Sequence, residues 1–77
     1  MNTNFAKMTG IEKAICTEAI LVTGNESVPN DDLLVETLNK LKTSHYDKKN
    51  IAVIQKLESV LLKYGLITGR ESDLRTN

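Results

Sequence analysis

The chain has 77 residues, which is enough for one small domain whose stability alone is marginal. Its ten basic and ten acidic side chains balance, and this neutral sum argues against a strong general nucleic-acid binder. One cysteine excludes an internal disulfide, and one cysteine with one histidine excludes the usual zinc ligand set. Oligomerisation is the remaining way for so short a chain to gain stability, and a homodimer is the commonest form.

The charges are unevenly spread along the chain. Residues 11–36 contain six acids and one lysine, whereas residues 37–70 contain seven bases and two acids. No basic leader precedes an apolar run, and no apolar run approaches the ~20 residues of a membrane span. We therefore predict a cytoplasmic protein that does not enter a membrane.

The N-terminal part of the chain predicts a flexible segment followed by a helix. Residues 1–8 are polar and have no period, which is typical of a frayed terminus. Thr9 and Glu12 have the spacing of a capping box and predict a first helix over about residues 10–23, with Gly24 just after it. The apolar residues that predict its inner face are Ile11, Ala14, Ile15, Ala19 and Val22, broadened by Ile20 and Leu21.

Two further helices follow, and together they predict an all-α fold of three short helices in a small antiparallel bundle. Asn30 is the expected cap of a second helix over about residues 31–43. A polar turn then leads to a third helix over about residues 48–64, and Gly65 has the position of a Schellman glycine. The helical domain is predicted to cover residues 9–66, and residues 67–77 are predicted to form a flexible tail.

The third helix carries an apolar stripe that is wider than one neighbouring helix can cover. Its spacings of three, four and seven are those of a helical face. Because the stripe is wide and the chain is short, we predict that this helix forms a homodimer interface, while the core of a monomeric bundle is the alternative. The predicted interface residues are Val53, Leu57, Val60, Leu61 and Tyr64.

No residue pattern in the chain predicts catalysis. Cys16 lies among apolar residues with acids nearby, so we interpret it as a small core residue. His45 lies in a turn without a third orienting group, and the adjacent acids Asp31 and Asp32 suit the start of a helix. Phosphate-binding, metalloprotease and nucleophile-elbow motifs are also absent from the sequence. We predict no enzyme activity, cofactor, metal or small-molecule substrate.

A lysine-rich run over residues 40–49 is the one polar stretch with functional promise. Two of its lysines precede the third helix, where the helix dipole favours acids. The run is either a solvated turn or a contact for phosphates or an acidic protein surface. The candidate contact residues are Lys40, Lys42, His45, Lys48 and Lys49.

Residues 18–64 contain a series of features in a specific order. An apolar helix end is closed by Gly24 and Asn25, and a polar loop with Val28 and Asn30 follows. The leucines of the second helix and a turn with Thr43 come next, and the last helix carries Ile54, Lys56, Leu57, Glu58, Val60, Leu61 and Tyr64. In these features the segment resembles the YmgB/AriR family of small biofilm and acid-resistance regulators, which has YcgZ and YmgA as relatives.

The resemblance implies a short all-α homodimer that acts as a connector protein on a two-component response regulator of the Rcs type. It thereby implies a role in biofilm formation and acid resistance. DNA binding is a second expectation, and here it would depend on the lysine run in both subunits of the dimer. A toxin–antitoxin or phage-type inhibitor that masks a partner protein fits the composition as a further alternative.

Overall fold

The computed structural model describes residues 3–24 and 29–68, and these residues form a bundle of three α-helices. The helical segments are, in chain order, a 3-10 helix Asn4–Lys7, α1 Gly10–Val22, α2 Asp31–Ser44 and α3 Ile51–Lys63. Each α-helix packs against both of the others, and no strand occurs within the described ranges. The predicted all-α fold of three short helices is therefore confirmed.

The predicted helix ends are confirmed at the starts of α1 and α2. The Thr9 side chain accepts from the backbone N–H of Glu12, and the Glu12 carboxylate accepts from the N–H of Thr9 at 3.0 Å. The Asn30 side chain accepts from the N–H of Leu33 at 2.8 Å. These caps satisfy amide donors that a helix leaves without partners in its first turn.

Two glycines end helical segments as predicted. Gly24 follows α1 with φ 76°, and Gly65 follows α3 with φ 73°, a region that side chains with a Cβ rarely adopt. The N–H of Leu66 then donates to the carbonyl of Leu61 at 2.9 Å, which is the long bond of a Schellman motif. The chain can therefore fold back over the end of α3.

The start of α3 corrects the prediction, because this helix begins at Ile51 and not at residue 48. The Asp47 carboxylate accepts from the N–H groups of Lys49 at 3.0 Å and Asn50 at 3.2 Å, which holds residues 48–50 in a turn. The Asn50 side chain donates to the carbonyl of His45 at 2.9 Å. Asp47 therefore caps the turn that leads into α3, and the two lysines lie before the helix.

The core lies where the inner faces of the three helices meet. The largest fully buried side chains are Cys16 from α1, Leu34, Leu38 and Leu41 from α2, and Ile54, Leu57 and Leu61 from α3. Leucine and isoleucine at helical spacing supply most of the apolar area that this small domain removes from water.

The face that α1 turns inward differs from the prediction. The buried residues of α1 are Cys16, Ala19 and Ile20, whereas Ile11 and Leu21 are exposed. In this orientation the Glu12 side chain binds residues at the end of α3. Positions four and seven residues after Glu12 lie on the same side of the helix, and these are Cys16 and Ala19.

Both ends of the described chain contact the helical bundle. Asn4, at the start of the 3-10 helix, donates from its backbone N–H and its side chain to the two carboxylate oxygens of Asp31. Met8 is buried in the core. Ile67, the first residue of the predicted tail, is also buried, and the flexibility of both termini stays a prediction. Residues 69–77 lie outside the described residues, as do residues 1–2.

Candidate interaction surfaces

The apolar stripe of α3 is covered by the other two helices of the same chain. Val53, Leu57, Val60 and Leu61 are buried, and Leu57 and Leu61 are 0% exposed. The stripe is wide because α1 and α2 pack on it from two sides. These four residues therefore belong to the core and offer no surface to a second copy in this conformation. A homodimer stays a prediction, and it would require another surface.

The fifth predicted interface residue, Tyr64, belongs to a polar cluster between the end of α3 and the start of α1. The Tyr64 hydroxyl donates to Glu12 Oε1 at 2.6 Å, and Lys63 Nζ donates to Glu12 Oε2 at 2.6 Å. Both carboxylate oxygens of Glu12 are therefore engaged, and Oε1 also closes the capping box with Thr9.

The cluster sets the ionisation of its members. The hydrogen bonds from Lys63 and Tyr64 and from the Thr9 backbone lower the pKa of Glu12 from 4.5 to about 2, against the opposing effect of burial. The same hydrogen bonds raise the pKa of Lys63 and the pKa of Tyr64. This arrangement keeps Glu12 ionised near neutral pH, and it connects α1 to α3.

The four lysines among the candidate contact residues separate into two groups, one largely buried and one exposed. Lys42 faces α3, where its Nζ lies 2.7 Å from a carboxylate oxygen of Glu58, and both side chains are largely buried. This ion pair removes Lys42 from the predicted contact surface. Lys40, Lys48 and Lys49 are exposed. The remaining basic surface is therefore smaller than the sequence suggested.

His45 joins the end of α2 to the following turn through hydrogen bonds of its backbone. Its N–H donates to the carbonyl of Leu41, which ends α2, and its carbonyl accepts from Asp47 and Asn50. The side chain is half-buried, and its Nδ1 has no hydrogen-bond partner among the described residues. Tyr46 beside it is 54% exposed, so the turn presents an aromatic ring together with the two exposed lysines that follow.

Cys16 is a core residue, as the sequence predicted. Its side chain is 0% exposed, and its thiol lies 3.7 Å from the sulfur of Met8. Burial, with a smaller effect from the charge of Glu12, raises the pKa of the Cys16 thiol to about 11. A thiol that is both buried and protonated is a poor nucleophile.

The largest exposed apolar residues lie on α1, and the prediction had placed them in the core. Ile11 is 77% exposed and Leu21 is 66% exposed, and Ala14 between them is also exposed. Together with Glu18 they form the solvent side of the helix, which we call the outer face of α1. Ile11, Ala14, Glu18 and Leu21 follow one another at spacings of three, four and three residues. This spacing indicates a second stripe on the side of the helix opposite the core, and it could have been recognised in the sequence.

The outer faces of the other two helices are more polar. The exposed residues of α2 are Asp32, Glu36, Asn39, Lys40, Thr43 and Ser44. The exposed residues of α3 are Ala52, Gln55, Lys56, Ser59, Leu62 and Lys63. A helix with apolar residues on two sides is normally packed against other elements on both sides. In this chain the other helices pack against only one side of α1.

Comparisons of the chain with family models, with curated proteins and with solved structures found no match. Within residues 3–24 and 29–68, no group of three or more His, Cys, Asp or Glu side chains could hold a metal ion. None of the described helices is long and apolar enough to cross a membrane.

Proposed function

We propose that this protein is a small non-enzymatic regulatory protein that acts by binding another protein. The observation that supports this proposal is the outer face of α1, where Ile11 and Leu21 are largely exposed although the opposite side of the helix packs in the core. A contiguous apolar patch on a protein surface is typical of a site of protein contact. No cofactor or substrate is needed for such a role.

The partner that we propose is a response regulator of a two-component system, of the Rcs type. The support is the resemblance of residues 18–64 to the YmgB/AriR connector proteins, which also suggests a role in biofilm formation and acid resistance. A cytoplasmic location is part of this proposal, because response regulators act there.

Affinity capture of the intact protein from its host tests the proposal. We expect a response regulator or another transcriptional regulator to be recovered with the wild-type protein. The matched control is Leu62→Asp, which changes an exposed side chain of α3 and leaves the outer face of α1 unchanged, so it should capture the same regulator. Captures that contain no transcriptional regulator under gentle lysis conditions would contradict the proposed function.

A weak DNA-binding function is a second candidate, and the exposed lysines of the α2–α3 turn favour it. Lys48 and Lys49 follow the exposed ring of Tyr46 on a turn that Asp47 holds in place. Phosphate contacts release counterions, so the affinity for duplex DNA should fall steeply with salt. Binding that is absent at low salt, or that persists in the double variant Lys48→Glu with Lys49→Glu, would exclude this candidate.

A further inference from the structure

The outer face of α1 is a continuous strip with one charge inside it. At about 100° per residue, Ile11, Ala14, Glu18 and Leu21 fall within an arc of about 80° and span about 15 Å along the helix. Half-buried Ile15 and Val22 extend the apolar surface along one edge. A partner that covers this strip must therefore pack against apolar side chains at both ends and accommodate the Glu18 carboxylate between them.

Glu18 makes no hydrogen bond or ion pair within the described part of the chain, and it is exposed. Its carboxylate is thus fully hydrated in the free protein. Covering it without a cation would cost desolvation free energy that the apolar contacts would have to offset. A basic side chain on the partner removes this cost by supplying a charged hydrogen bond.

The same face of a second copy does not supply that cation. The outer face of α1 contains no basic residue, and the nearest lysine of the helix, Lys13, is half-buried and lies over the ring of Phe5 at 5.8 Å from its centroid. Two copies packed face to face would place two carboxylates near the twofold axis with no basic side chain between them. The charge pattern therefore disfavours a homodimer through this face.

We propose that the outer face of α1 is the docking site for an amphipathic helix of another protein, with a lysine or arginine of that helix facing Glu18. This inference rests on the proposed function, since it names the surface through which the regulator binds its partner. Ile11 and Leu21 are the two apolar anchors, and they contact apolar residues of the partner helix at helical spacing. The strip is small, so the contact is weak and is steered by the opposite charges.

Synthetic peptides test the chemistry of this site even while the partner is unidentified. The probe is a monomeric amphipathic helical peptide with leucines on one face and one lysine at the edge of that face. The matched probe carries glutamate in place of that lysine. Fluorescence anisotropy with the full-length protein should show about fivefold tighter binding of the lysine peptide, and Glu18→Lys should reverse the preference.

Variants of the two anchors give the second measurement. Ile11→Asp with Leu21→Asp should weaken binding of the lysine peptide about tenfold or more, because both side chains lose their apolar contacts. Leu62→Asp is the matched control, since it places an acid at an exposed apolar position of α3 and should leave the affinity unchanged. Unchanged circular dichroism would show that each variant folds.

Three results would overturn the inference. The first is equal affinity of the two peptides for the wild-type protein, and the second is a preference that Glu18→Lys does not reverse. The third is a homodimer in sedimentation that Ile11→Asp dissociates, because a second copy would then cover the face.

Capture from the host separates this inference from the proposed function. If the anchor double variant retains the regulator that the wild-type protein captures, the proposed function stands and the assignment of the α1 face is wrong. If the wild-type protein captures no regulator, the proposed function fails. The peptide measurement would still show whether the outer face of α1 prefers a basic amphipathic helix.

Discussion

The Tyr64 hydroxyl donates to the Glu12 carboxylate at 2.6 Å, across 52 positions of the sequence. This hydrogen bond joins the residue after the last turn of α3 to the first turn of α1. Lys63 binds the other oxygen of the same carboxylate. The contact lies on the side of α1 that faces the core, and Ile11 is exposed on the opposite side.

The Glu12 carboxylate should make the stability of the protein depend on acidic pH. Its pKa is lowered from 4.5 to about 2 in the folded protein, so the unfolded chain binds a proton more readily. The stabilisation is therefore complete above about pH 4.5, and it is lost as the pH falls towards 2. Urea unfolding from pH 2 to pH 7 should show that Glu12→Gln is destabilised at neutral pH and approaches the wild-type protein near pH 2.

Two further variants define the control for this measurement. Glu18→Gln removes an exposed acid of the same helix that makes no hydrogen bond among the described residues, so it should lower the stability at pH 7 by less. Tyr64→Phe removes one donor to Glu12 and should give part of the Glu12→Gln effect. Equal losses in Glu12→Gln and Glu18→Gln at pH 7 would contradict the assigned role of the cluster.

The ion pair between Lys42 and Glu58 should be sensitive to the loss of one partner. The side chains are only 15% and 7% exposed, so Lys42→Met removes a charged contact from a largely buried carboxylate. The cost should be about 3 kcal/mol in the free energy of unfolding. Urea unfolding with Lys56→Met as the exposed control, expected to change by less than about 0.5 kcal/mol, checks this. Similar losses in both variants would contradict a stabilising role for the pair.

Local sequence signals predicted the helices and most of their ends. The caps at Thr9 and Asn30 and the glycine at position 65 depend on neighbours within a few residues, so their spacing in the sequence is sufficient. The start of α3 was misplaced because the lysines at positions 48 and 49 continue the polar pattern of the helix. The Asp47 carboxylate holds them in a turn instead.

The orientation of α1 could not be predicted in the same way. Its residues are apolar on both sides, so the period does not select the face that packs inward. That selection depends on contacts between residues that are far apart in the sequence, such as Glu12 with Tyr64. The period of a helix also does not identify the helices that pack on it. The width of the α3 stripe indicates two neighbouring helices, but it does not show whether they belong to the same chain, and the sequence therefore predicted a homodimer interface there.

Leu57 tests the assignment of the α3 stripe to the core of one chain. Leu57→Ala removes a fully buried side chain and should cost about 3 kcal/mol in the free energy of unfolding. If the stripe packs within one chain, the urea midpoint of the wild-type protein should not depend on protein concentration. Leu62→Ala, at an exposed position of the same helix, should change the stability by less than about 0.5 kcal/mol. A midpoint that rises with concentration and loses this dependence in Leu57→Ala would restore the predicted homodimer interface.

The Cys16 thiol should report on opening of the same core. It is 0% exposed and its pKa is raised to about 11, so a thiol reagent can react only when the bundle opens. Labelling at pH 8 should be roughly five thousandfold slower than in urea-unfolded protein, given a stability of about 5 kcal/mol. Ser59→Cys in a Cys16→Ala background should react at the rate of an exposed thiol. The labelling rate follows the population of the open state, so Leu57→Ala should accelerate the reaction of Cys16 about a hundredfold. An unchanged rate would show that the reagent reaches the thiol without global unfolding.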